Sequence, residues 1–207
     1  MAEEHPPGPP RTVVFDLGAV LVPSAGLERR LAGSLGVTEA DLRAAYWAHR
    51  PRHDLGGPPR EYWAEVFGTL GLDPDPDRLD AAERLDVTFW STPAPASSIL
   101  VADLARSGAR LAVLSNAPRG LAAAVRAAAW SSPFARLLFS ADVGVAKPSA
   151  DIYRRADTEF RTTSEQVLFF DDRPENVRAA VAHGWEAHVW SGAAAARRLL
   201  RERALLA

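Results

Sequence analysis

Three short apolar runs in this chain each stop at a polar residue, and that pattern constrains the fold more than any other feature. Val13-Val14-Phe15 runs into Asp16, Leu111-Ala112-Val113-Leu114 into Ser115-Asn116, and Val167-Leu168-Phe169-Phe170 into Asp171-Asp172. Runs that stay apolar, rather than alternating with polar residues, predict strands buried on both faces, as in a parallel sheet covered by helices. Gly18 lets the chain turn away after the first run. Ligands of open α/β sheets bind outside the carboxyl ends of the strands. The side chains that close these runs are therefore the candidate functional groups.

The segments between them complete the alternation. Helices are predicted over Ala96–Ser107 with Gly108 as the stop, over Arg119–Trp130, from a Ser149 cap through Ile152, Tyr153 and Ala156, and from Pro174 to His183 with Gly184 closing it. A short strand is expected near Leu137–Phe139, a last one at Ala187–Trp190, and a terminal helix over Ala193–Leu206. The reading is a Rossmann-like α/β core over residues 11–23 and 93–207, a parallel sheet sandwiched by helices. Residues 24–92 have another texture. Leu27, Leu31 and Leu35 share a helical face, Thr38 is placed to cap a helix by bonding the amide near Asp41, and Tyr62, Trp63, Val66, Phe67 and Leu70 form an apolar stripe before a further helix over Arg78–Trp90. With no convincing strand, this block reads as an inserted α-helical cap whose Tyr46, Trp47, Tyr62 and Trp63 are packing residues. His49–Pro59, rich in proline and glycine, reads as a charged surface loop. Residues 1–10 read as a disordered arm.

Composition excludes several functions. A net charge of -2 gives no basis for broad nucleic-acid binding. The absence of cysteine excludes disulfides, thiolate metal sites and cysteine nucleophiles, and fits a reducing cytoplasm. No apolar run approaches the ~20 residues that span a bilayer. What remains at the sheet edge is Asp16, Ser115-Asn116 and Asp171-Asp172, with Lys147 on the loop Gly144–Pro148. Acids, a hydroxyl and a cation suit a phosphoryl group with a hard divalent metal, and an oxygen-only ligand set favours Mg²⁺ over Zn²⁺.

In this order and spacing the four segments resemble the motifs of the haloacid dehalogenase (HAD-like) superfamily of hydrolases, in the subclass with a helical cap between the first two motifs. Asp16-Leu17-Gly18 and the Asp171-Asp172-x-x-x-Asn176 form of the last motif are most similar to small bacterial sugar-phosphate phosphatases. The resemblance implies that Asp16 is the nucleophile, forming an aspartyl-phosphate, and also a metal ligand. It implies that Ser115 and Asn116 bind the phosphoryl group and that Lys147 offsets its charge. Mg²⁺ would be held by Asp16, Asp172 and the Gly18 carbonyl, with Asp171 as a supporting or alternative ligand and Asn176, Arg173 and Glu175 orienting the set. A carboxylate attacks a dianionic phosphoryl group only when cations offset the repulsion. The expected ligand is a small phosphorylated metabolite, and the expected state a monomer or homodimer.

One position departs from the pattern. Most phosphatases of the superfamily carry a second aspartate two residues after the nucleophile, which protonates the leaving group and then activates water. Here that residue is Gly18. Glycine keeps the carbonyl but has no side chain to move a proton, a loss of typically ~10²–10⁴-fold. A water, or His49, His53 or Asp54 of the cap, is the candidate replacement. Two other readings stay open: a weak or inactive member that binds a phospho-ligand or a protein partner, and a 2-haloacid dehalogenase. Dehalogenases need no metal and lack the paired acids of the last motif, so Asp171-Asp172 argues against the second.

Overall fold

The computed structural model describes residues 12–23 and 25–207; the expected arm at 1–10 and the cap boundary at 24 lie outside the described residues. The chain opens with β1 (Thr12–Phe15), followed by four helices, α1 (Leu27–Leu35), α2 (Glu39–Asp54), α3 (Pro59–Thr69) and α4 (Pro76–Trp90). Alternation then begins: α5 (Pro95–Arg106), β2 (Arg110–Ser115), α6 (Arg119–Ala127), β3 (Phe134–Phe139), a single turn α7 (Ser140–Val143), α8 (Ala150–Phe160), β4 (Val167–Asp171), α9 (Pro174–His183), β5 (Glu186–Val189) and α10 (Ala193–Glu202).

The five strands form one parallel sheet in the order β3-β2-β1-β4-β5. Alternate residues of β1 enter different cores. Val13 and Phe15 join Leu111, Val113, Leu121 and Leu200 on one face, while Val14 joins Leu114, Phe169, Ile152 and Phe160 on the other. Burial on both faces is why these strands are apolar throughout. The first core continues into the helical block through Leu31, Leu42, Trp63 and Phe67. Register decides the rest. Phe15 pairs with Val113 on one side and Phe170 on the other, so the residues that follow these strands emerge at one level of the carboxyl edge.

Local signals place the helix starts. The Thr38 hydroxyl accepts from the Asp41 amide at 3.1 Å, Asp75 caps α4 through the amides of Asp77 and Arg78, and Ser149 accepts from Asp151. Gly184, at φ 104°, closes α9 in a conformation that favours glycine. The His49–Pro59 loop is corrected: α2 continues to Asp54 with Pro51 inside it. Proline removes one helical hydrogen bond, and side-chain packing overrides that loss. Arg50 is bonded to Asp54, and the His53 ring stacks on Tyr62 at 4.4 Å. Arg50 and His53 are buried rather than on a surface loop. Of the four cap aromatics expected to pack, Tyr46, Tyr62 and Trp63 are buried and Trp47 is exposed. Among the described residues, no helix is long and apolar enough to cross a membrane.

Candidate active site

Asp16 leaves β1 with its amide bonded to the Phe170 carbonyl at 2.9 Å, which fixes it against the end of β4. Its Oδ1 accepts from the Leu17 amide at 2.7 Å and lies 3.0 Å from Lys147 Nζ. The ammonium of Lys147 also donates to the Leu114 carbonyl at 2.8 Å and to Asp171 Oδ2 at 2.6 Å, so its three donors meet three acceptors from three strand ends. Lys147 is the only lysine of the 24 Lys and Arg residues in the chain. Burial works against its charge, but Asp16 and Asp171 more than offset that and hold its pKa above the ordinary lysine value. Asp16 moves the other way. Burial and the neighbouring Asp171 push its carboxyl up to about 6, against the pull of Lys147 and Ser115.

The remaining groups have distinct tasks. Asp171, fully buried, accepts from the Arg173 amide, from Asn176 Nδ2 and from Lys147, which saturates it and makes it a brace for the lysine. Asn116 grips the Lys147 backbone in both directions, Nδ2 donating to its carbonyl at 2.9 Å and Oδ1 accepting from its amide at 2.8 Å. Its side chain therefore positions the lysine. Arg173 pairs with Glu175 and also lines the mouth of the cavity. Asp172 lines the cavity beside Asp16, and burial and then Asp171 raise its pKa. One oxygen each from Asp16, Asp171 and Asp172 lie within 4.8 Å of one another. Three carboxylates against one ammonium, all with hard oxygen donors, fit a divalent cation. Asn176, which donates to Asp171 and lines the same cavity, leaves its Oδ1 buried without a hydrogen-bond partner.

Facing this wall across a cavity of about 280 Å³ is the cap, contributing Glu28, Trp47, Arg50, Asp54 and Trp90. Arg50 donates from Nε to Asp54 Oδ1 at 2.6 Å and from Nη1 to both oxygens of Asp86 at 3.3 Å. The Tyr46 hydroxyl joins them: it donates to Asp86 at 2.6 Å and accepts from Arg50 and from Trp90 Nε1. Burial pushes the carboxyls of Asp54 and Asp86 up, and Arg50 pulls both back. Trp90, so held, lies over Gly18, where a Cβ would come 3.2 Å from its ring carbon Cζ3.

The structure thus brings Asp16, Gly18, Ser115, Asn116, Lys147, Asp172 and Asn176 to one cavity, with Asp171 directly behind Lys147. Of the proposed cap substitutes for a missing acid, only Asp54 lines it. His49 contacts Thr69 and Glu65, and His53 is buried against Gly57 and Tyr62. Sequence reasoning missed the Tyr46–Arg50–Asp86–Trp90 cluster. Its signal was the four-residue spacing of Leu42, Tyr46, Arg50 and Asp54, one helical face if α2 runs through Pro51.

A family model described as haloacid dehalogenase-like hydrolase matches residues 10–184. Among solved structures, the chain is similar to a predicted HAD-like family hydrolase from Porphyromonas gingivalis, at 23% identity and a TM-score of 0.70 over 92% of this chain and 98% of that one. An L-2-haloacid dehalogenase from Xanthobacter autotrophicus superposes with a TM-score of 0.70 at 22% identity, over 92% and 82% of the two chains. A 2-haloacid dehalogenase from Pseudomonas syringae pv. Tomato does so at 0.63 and 18%, over 93% and 98%. At these identities the likeness is one of fold. No curated protein matches the chain.

Proposed function

Because the chain belongs to the haloacid dehalogenase-like hydrolases, we propose that it is a Mg²⁺-dependent phosphomonoester hydrolase of the cytoplasm, a monomer or homodimer. Its substrate is a small phosphorylated metabolite, with sugar phosphates among the candidates. One observation carries the reading: a single ammonium, Lys147, faces Asp16, Asp171 and Asp172 at the edge of a small cavity. A site with that excess of negative charge takes an anionic substrate only together with another cation. Asp16 and Asp172, with the Gly18 carbonyl, are the groups that would hold Mg²⁺. When bound, the ion supplies positive charge that offsets the repulsion between carboxylate and phosphoryl group.

The chain's own residues then divide the work. An Asp16 oxygen attacks phosphorus, the phosphorus–oxygen bond to the leaving group breaks, and an aspartyl-phosphate forms. Lys147 lies against the nucleophile and the entering phosphoryl oxygens, held there by Asn116 and Asp171. Ser115, buried beside Asp16, donates its hydroxyl to a phosphoryl oxygen. Water attacks the aspartyl-phosphate, releasing phosphate and restoring Asp16. The cap wall closes a space near the lower end of the range for ligand pockets, which supports a small leaving group.

Several of the similar structures are haloacid dehalogenases. That chemistry would bring a carboxylate substrate up to Asp16, Asp171 and Asp172, a cluster that only Lys147 among the cavity's cations contacts, since Arg50 is taken up by Asp54 and Asp86 and Arg173 by Glu175. The charge balance that supports Mg²⁺ disfavours it. The test is a panel of sugar phosphates, an activated aryl phosphate and 2-haloacids. Phosphate release with Mg²⁺ is expected, abolished by EDTA, restored by added Mg²⁺, and reduced by roughly 10⁴-fold or more in Asp16→Asn. Halide release instead of phosphate, or phosphate release that survives chelation or Asp16→Asn, overturns the reading.

A further inference from the structure

Residue 18 has no side chain to move a proton, and a Cβ there would crowd the ring of Trp90 at 3.2 Å, whose indole nitrogen is anchored on Tyr46. A proton carrier for this site therefore comes from elsewhere on the cavity wall. Asp171 and Asp172 belong to the cation cluster, and Glu28 is engaged by Trp47 and Arg43. Asp54 remains. Its Oδ1 is held by Arg50, while among the described residues its Oδ2 has no hydrogen-bond partner, although the side chain is only 14% exposed and lines the cavity. Its backbone is pinned as well. The Ser140 hydroxyl donates to the Asp54 carbonyl and accepts from the Ala117 amide at 3.0 Å. One hydroxyl thus ties the cap acid to the loop that follows Ser115 and carries Asn116.

We infer that Asp54 gives a proton to the departing oxygen and later takes one from the attacking water. The assignment rests on the phosphatase reading. In the first step Asp16 bonds to phosphorus, the bond from phosphorus to the ester oxygen breaks, and that oxygen receives the Asp54 proton and leaves as the alcohol. In the second, the Asp54 carboxylate takes a proton from water as its oxygen bonds to phosphorus. The bond from phosphorus to Asp16 breaks, and phosphate departs with both aspartates restored. The charged and titratable groups around Asp54 are Arg50 and His53 from its own helix, Tyr62 from α3 and Asp86 from α4, while α7 meets it with the neutral Ser140. Burial, only partly countered by Arg50, raises its pKa, the direction a proton-donating carboxyl needs.

The experiment compares Asp54→Asn with wild type on two esters, an alkyl phosphate and an aryl phosphate with an acidic phenol. The quantity is kcat/KM, which reports the steps up to departure of the leaving group. The alkyl ester should lose ~10²–10⁴-fold and the aryl ester, which leaves without a proton, less than ~10-fold. The ratio between esters is internal to one preparation, so a partly folded sample does not mimic it. Equal losses on both esters, or none on either, would overturn the role of Asp54 alone. No phosphate release by wild type from either ester would overturn the phosphatase reading and this assignment with it.

Discussion

On the core wall Lys147 faces Asp16, Asp171 and Asp172; on the cap wall Arg50 faces Asp54 and Asp86. Each wall sets one buried cation among acids, but the residues differ in kind and in origin. Lysine is a compact charge with three donors, and here they reach the ends of three elements that the sheet register has already aligned. Arginine is a planar fork, and here it joins two helices of the cap, α2 and α4. The core wall leaves unmatched charge facing the cavity. The cap wall buries Asp86 completely and brings Asp54 to the cavity beside the Arg50 that pairs with it. The core is built to hold anions with outside help, and the cap to keep its shape.

Removing the cation from the core wall tests this most sharply. Lys147→Met strands two buried carboxylates and should cost about 3–5 kcal/mol of unfolding free energy in chelator, as for other broken buried pairs. A denaturant titration with added Mg²⁺ should recover part of the loss; no loss at all would mean that the cluster is already neutralised without Lys147. On the cap side, Tyr46→Phe removes the hydroxyl that Trp90, Arg50 and Asp86 share. Leaving the Trp90 indole nitrogen without an acceptor should cost roughly 1–3 kcal/mol, read as a lower melting temperature. An unchanged melting temperature would remove the claim that this wall is a scaffold. The smallest effect belongs to the contact between the walls. Gly18→Ala places a Cβ 3.2 Å from the Trp90 ring and should destabilise by about 1 kcal/mol. Gly18→Asp should fail to raise turnover while Trp90 is present, and a gain in that single variant would show that the indole yields.

The two walls also differed in legibility. Asp16, Ser115 and Asp171-Asp172 could be read because each closes an apolar strand, and strand ends of a parallel sheet share one edge whatever the loops do. Lys147 sits on a loop and was legible only through its place in the ordered motifs. Its isolation in a chain that otherwise uses arginine was a second, unused sign. Arg50, Asp54 and Asp86 could not be read that way. They lie on helices, and their burial depends on how α2 and α4 pack. Pro51, Gly56 and Gly57 imitate loop punctuation, and α2 runs on to Asp54 because Arg50 and His53 find partners inside. The crowding over Gly18 was equally hidden, since Trp90 comes from 72 positions away in sequence.

The solitary lysine also gives the chain a chemical address. Its side chain is 1% exposed, so a reagent selective for ε-amines finds none on the outside of the folded protein. Acylation of this one nitrogen requires it to part from Asp16, Asp171 and the Leu114 carbonyl. The mass it adds, a single increment per chain, would time that parting molecule by molecule without any probe being introduced.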